Sequence, residues 1–115
     1  MKKHSSKFVK IVNDAKNNIK EISFDQLDSL KNYILIDVRE DHEWEKGHIP
    51  GAIHLSKGII ERDIESKIPN TNQPLVLYCG GGFRSALACE NLNKMGYTQI
   101  YSLIGGYREW KSMNK

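Results

Sequence analysis

Cysteine is scarce in this 115-residue chain, which has only Cys79 and Cys89. Two cysteines cannot build a disulfide framework and do not suffice for a structural zinc site, so a reducing, cytoplasmic setting is expected. Long apolar runs are missing too. The longest strings of large apolar side chains, Tyr33–Ile36 and Leu75–Tyr78, are four residues each, against the roughly 20 that a membrane helix needs. No membrane span is expected. The basic start, Met1-Lys2-Lys3-His4-Ser5-Ser6-Lys7, runs on into Lys10, Asp14, Lys16 and Lys20 rather than an apolar core, which argues against a signal peptide. His4, His42 and His54 show no metal-ligand spacing with one another or with a cysteine, so no metal is expected.

A dominant charge is also lacking. Lys and Arg number 17 against 14 Asp and Glu, a net of +3. Residues 1–20 hold six Lys and one Asp, so residues 21–115 carry 11 basic against 13 acidic side chains. A nucleic-acid binder places its basic stripe on the folded body; here the excess sits on an N-terminal extension, and nucleic acid is not an expected partner. What is present is a globular composition, 39% hydrophobic and 27% charged. The length suits one compact domain and is too short for two.

Two periods alternate along the chain. Phe8, Ile11, Val12, Ala15 and Ile19 form one stripe of an amphipathic helix. Ser23-Phe24-Asp25-Gln26 fits a capping box that opens a short helix through Leu27 and Leu30. Tyr33–Val38, broken only by Asp37, and Pro74–Tyr78 are apolar runs, the pattern of strands covered on both faces. Helices are expected over Glu40–Lys46, Ile59–Lys67 and Ser85–Met95, and a terminal helix carrying Tyr107 and Trp110 after the Gly105-Gly106 turn, with further strands at Ala52–Leu55 and Ile100–Leu103. Strands alternating with helices predict an α/β domain, a parallel sheet of about five strands with helices on both faces.

The chemistry concentrates in Tyr78-Cys79-Gly80-Gly81-Gly82-Phe83-Arg84-Ser85. A buried strand delivers a cysteine to its carboxyl end, where open α/β sheets place their sites. Three glycines permit positive φ, so that successive backbone N–H groups can curl into an anion-binding nest. A helix N-terminus follows at once, and Arg84 can add a cation. Each of these favours thiolate over thiol, making Cys79 the candidate nucleophile. Cys89, among Ala86, Ala88 and Leu92, reads as a small core residue.

From Glu21 to Lys111 the sequence resembles the single-domain rhodaneses. The resemblance is carried by Asp37-Val38-Arg39, Glu43-Trp44, Gly47-His48-Ile49-Pro50-Gly51-Ala52, the Cys79–Ser85 loop, Met95-Gly96-Tyr97 and Gly105-Gly106-Tyr107 with Trp110. It divides the chain into a basic helical extension over residues 1–20, similar to the leading helix of one bacterial subgroup, and a rhodanese-like domain over residues 21–115. It implies a sulfurtransferase in which Cys79 takes a sulfane sulfur from thiosulfate or a persulfide. Gly80, Gly81, Gly82, Phe83, Arg84 and Ser85 would cradle it, and a thiol, cyanide or a protein acceptor would remove it. Asp37 and Arg39 are expected to support the loop, with Arg39 paired to Glu43, and His48 to shape its turn. No cofactor is implied. Thiosulfate-active members often carry a basic residue directly after the cysteine, where this chain has Gly80, so the donor stays open between thiosulfate and a persulfide. Two rival readings use the same residues: a phosphatase or arsenate-reductase type of Cys–Arg loop, and a non-catalytic binding module. The phosphatases of this fold place five residues between Cys and Arg, whereas Cys79 and Arg84 enclose four. No Asp stands in the loop or after it to serve as general acid.

Overall fold

The computed structural model describes residues 4–114. Five parallel strands form one sheet: β1 (Lys20–Ile22), β2 (Ile34–Asp37), β3 (Ile53–His54), β4 (Leu75–Tyr78) and β5 (Ile100–Leu103), in the order β1-β5-β4-β2-β3. Strand β4 is central, in register with β2 from Ile34–Leu75 to Asp37–Tyr78 and with β5 from Leu75–Ile100 to Leu77–Ser102. All four of its residues are buried, as a continuous apolar run requires.

Side chains alternate across the sheet and so sort into two cores. Leu75, Leu77 and Cys79 face one side with Ile36, Ile60, Ile64, Ala88, Cys89 and Leu92. That side is covered by α4 (Ile60–Lys67) and α5 (Phe83–Lys94). Val76 and Tyr78 face the other with Ile22, Leu27, Leu35, Ile49 and Leu103, covered by α2 (Phe24–Leu27) and α6 (Gly106–Met113). The short α3 (Asp41–Lys46) buries no residue. The period of β4 therefore decides which core receives the Cys79 side chain: the one in which α5 begins.

The expected α/β architecture is what the chain adopts, with local differences. The Ser23 capping box forms as read: Gln26 N–H donates to Ser23 Oγ and Ser23 N–H to the Gln26 amide oxygen. Strand β1 carries too weak a signal to be anticipated, because only Ile22 of its three residues is buried at the sheet edge. Helix α5 starts two residues earlier than expected, with Gly82 as its N-cap at φ +99°.

Helix α1 (Ser6–Lys16) lies against α5. Val12 and Ala15 are its buried residues, while Ile11, expected on the same stripe, is half exposed. Asn18 ties the two helices further, donating to Glu90 at 3.0 Å and accepting from Asn93 at 3.1 Å. Val12→Ala removes two buried methyl groups from this contact and should destabilise the protein by about 1–2 kcal/mol, read as a lower urea midpoint at unchanged slope.

Candidate active site

Cys79 stands one residue beyond β4, 1% exposed. Its Sγ accepts N–H groups from Gly82 at 3.1 Å and Ser85 at 3.4 Å, and the Ser85 hydroxyl lies 3.5 Å away. Ser85 Oγ is in turn 2.7 Å from Ser102 Oγ on β5, so the hydroxyl beside the sulfur is paired with a second buried hydroxyl. The N–H groups of Gly80, Gly81, Phe83 and Arg84 donate to nothing among the described residues. They belong to the loop and to the first turn of α5, where helical donors have no intrahelical partner.

The loop's shape is imposed from outside. Tyr107 N–H donates to the Cys79 carbonyl at 2.8 Å and Arg108 N–H to the Gly80 carbonyl at 3.1 Å. A trans peptide is planar, with C=O and N–H opposed. Drawing these two carbonyls toward α6 therefore turns the N–H groups of Gly80 and Gly81 the opposite way. The approach is close enough that a Cβ on Gly106 (φ +53°) would collide with the Cys79 carbonyl.

The three loop glycines differ in what they meet. All permit positive φ, yet only Gly82 adopts it. At Gly80 and Gly81 a methyl group would meet only the ends of mobile side chains: one on Gly80 would sit 3.2 Å from Arg84 Nη2, and one on Gly81 3.1 Å from Arg108 Nη1.

Arg84 reaches the loop mouth, but its guanidinium forms a two-pronged pair with Glu43, at 2.6 and 3.2 Å. The hydrogen bond from Arg84 chiefly, with help from the Glu40 N–H, holds the Glu43 carboxyl down at about 2 against an opposing effect of burial. Arg84 is correspondingly raised above its ordinary value, first by the Glu43 bond. The expected Arg39–Glu43 pair is thereby corrected. Arg39 belongs to Asp37, which it contacts through Nε at 3.1 Å and Nη2 at 2.9 Å, both residues being buried. Its Nη2 also donates to the Gly47 carbonyl at 2.6 Å. Burial works against the Arg39 charge, and the Asp37 bond and charge outweigh it, leaving the pKa above its ordinary value. The Arg39 guanidinium lies 4.1 Å from the Tyr107 ring centre. Arg39 thus touches the residue whose N–H holds the Cys79 carbonyl, and Asp37 reaches it only through Arg39.

His48 sits away from the thiol, stacked on Trp44 at 3.4 Å between ring centres, with Nδ1 3.0 Å from the Trp44 carbonyl. Cys89 is fully buried, and burial pushes its thiol up. A cleft of about 690 Å³ opens over Cys79, walled by the loop, Arg84, Glu40, His42, Glu43, Arg108, and His4 and Phe8 from the N-terminal segment. Phe83 forms part of that wall, 4.5 Å from His4 and 5.9 Å from Phe8 between ring centres. Arg108, His4 and Phe8 were not evident as cleft residues in the sequence. The available hint for Arg108 was its place in the first turn after the Gly105-Gly106 pair at the carboxyl end of β5.

Residues 15–113 match the profile of the rhodanese-like domain. The chain belongs to the rhodanese-like domain family. It is 32% identical over 82 residues to the thiosulfate sulfurtransferase GlpE of Coxiella burnetii, covering 71% of this chain and 75% of that one. It is 33% identical over 97 residues to the putative sulfur carrier protein YrkF of Bacillus subtilis, covering 81% of this chain. The chain spans only 51% of YrkF. Among solved structures, the human single-domain sulfurtransferase TSTD1 superposes with a TM-score of 0.71 at 28% identity, over 80% of this chain and 95% of that one. A Rhodopseudomonas palustris protein described as a possible tyrosine phosphatase gives 0.80 at 24% identity, over 99% and 96%, a likeness of fold alone.

The Glu43–Arg84 pair makes a prediction about acid. Unfolded, Glu43 takes its proton near 4.5; folded, it does so only near 2. Its contribution is therefore fully present above 4.5 and is lost as pH falls through about 2. Glu43→Gln should flatten the decline of unfolding free energy between those two pH values, measured by urea titration at each. An unchanged slope would contradict the pairing.

Proposed function

We propose that this rhodanese-like domain is a sulfurtransferase that moves one sulfane sulfur atom from thiosulfate or a persulfide donor to a thiophilic acceptor through a Cys79 persulfide. The observation that carries the reading is the surround of Cys79 Sγ: two N–H groups already on the sulfur, and four more in the same loop without partners.

The Cys79 thiolate attacks the outer sulfur of the donor. With thiosulfate, the donor S–S bond breaks, its electron pair leaves on sulfite, and Cys79 carries a terminal anionic sulfur. The acceptor, cyanide or a thiolate, then attacks that outer sulfur, and the electron pair of the Sγ–S bond returns to Sγ. The product is thiocyanate with cyanide, or a persulfide on a small thiol or on a protein acceptor. Covalent catalysis of this kind divides one transfer into two displacements. Negative charge rests on sulfur throughout, and backbone donors fixed in advance stabilise it without reorganising. Gly80, Gly81, Gly82, Phe83, Arg84 and Ser85 supply those donors, while Asp37 and Arg39 act through Tyr107 to keep the loop in place.

Four residues between Cys79 and Arg84 make a nest for one sulfur atom rather than for a tetrahedral oxyanion. The names of GlpE and YrkF, a thiosulfate sulfurtransferase and a putative sulfur carrier, support the same chemistry. Two free cysteines suit a reducing compartment, the cytoplasm. Incubation with thiosulfate followed by intact-mass measurement should add one sulfur atom, which cyanide then removes. Cys79→Ser should abolish the gain and Cys89→Ser should keep it. Phosphate adducts, or no sulfur gain from either donor class, would overturn the reading.

A further inference from the structure

The loop offers N–H groups in plenty but little free positive charge. Gly80, Gly81, Gly82 and Phe83 bring no cation, and Arg84 is neutralised by Glu43 at 2.6 Å. Arg108 is different. It is exposed and lines the cleft, and among the described residues its guanidinium pairs with no carboxylate. Its main chain is anchored beside the loop, where its N–H donates to the Gly80 carbonyl at 3.1 Å. The guanidinium lies across the two side-chain-free residues, within 3.1 Å of where a methyl group on Gly81 would be and 3.9 Å of one on Gly80. A methyl group on Gly81 would already require it to give way slightly.

We propose that Arg108 is the donor-recognition residue of this cleft. It binds the sulfonate-type head of an anionic sulfane donor, thiosulfate or an organic thiosulfonate, with the transferable sulfur directed at Cys79. The inference rests on the sulfur-transfer reading of the loop and adds the class of donor to it. The backbone cradle accommodates one sulfur atom, so the oxygens of such a donor stay outside it, at the mouth. A guanidinium meets them there with parallel N–H donors and a fixed charge, a pairing that a planar fork makes better than an ammonium. Discrimination follows from where the charge sits: an alkyl persulfide carries its charge on the transferable sulfur and presents no oxygens to Arg108, whereas thiosulfate presents an anionic, oxygen-bearing head.

Steady-state transfer to cyanide should be measured with thiosulfate and with an alkyl persulfide, which lacks the sulfonate-type head, for the unsubstituted protein, Arg108→Gln and Arg108→Lys. Arg108→Gln should raise the KM for thiosulfate about tenfold and change the persulfide reaction less than about twofold. Arg108→Lys should recover most of the loss, and the difference should shrink with added potassium chloride. A thiosulfate KM within about twofold in Arg108→Gln, or equal losses with both donors, would overturn the proposal. Binding separates it from the transfer reading. Thiosulfate added to the Cys79→Ala protein should shift the Gly80–Ser85 amide resonances, and the shifts should vanish when Arg108→Gln is combined with it. If those shifts depend on Arg108 but no donor leaves sulfur on Cys79, the transfer reading fails while anion recognition stands. If the shifts ignore Arg108, recognition fails whatever the chemistry.

Discussion

The hydrogen bonds from the Tyr107 and Arg108 N–H groups to the carbonyls of Cys79 and Gly80 bind the last helix to the loop after the central strand. The first turn of α6 has donors that the helix cannot satisfy, and the Cys79 and Gly80 carbonyls lie within their reach. Pairing them is worth about 1 kcal/mol each in net stability. The geometric result matters more: the next two N–H groups of the loop are turned away from α6. Gly106 is required by this contact, because any Cβ there would drive α6 off the Cys79 carbonyl.

Much of the remaining site supports that contact. The buried Asp37–Arg39 pair costs desolvation of both charges, which their mutual hydrogen bonds offset. Its use is positional: Arg39 spans from Asp37 at the end of β2 to the Gly47 carbonyl and the face of Tyr107. Glu43 holds Arg84 aside in the same way from α3. Residues far apart in the chain thus fix a seven-residue loop from three sides, while the alternation of β4 aims its cysteine.

The fold was readable because fully buried parallel strands leave an unmistakable trace. Tyr33–Ile36 and Leu75–Tyr78 are apolar throughout, and Gly47, Gly96 and Gly105 punctuate the helices around them. The loop was readable for a related reason: its residues are contiguous, so strand, cysteine, glycines and helix start appear together. What the sequence could not display was pairing at a distance. Glu43 could serve either Arg39 or Arg84, and only the folded chain chooses Arg84, 41 residues away. Strand β1 is hidden by its exposed edge, and Arg108 by lying outside the loop whose mouth it covers.

The central claim is that a backbone cradle oriented by α6 receives the transferred sulfur. Amide NMR of the protein before and after loading with sulfur at Cys79 tests it directly. The account predicts downfield amide-proton shifts at Gly80, Gly81, Phe83 and Arg84, the four groups without partners in the unloaded protein, reversed when cyanide removes the sulfur. Loaded protein in which those four amides stay still, while residues elsewhere move, would contradict it.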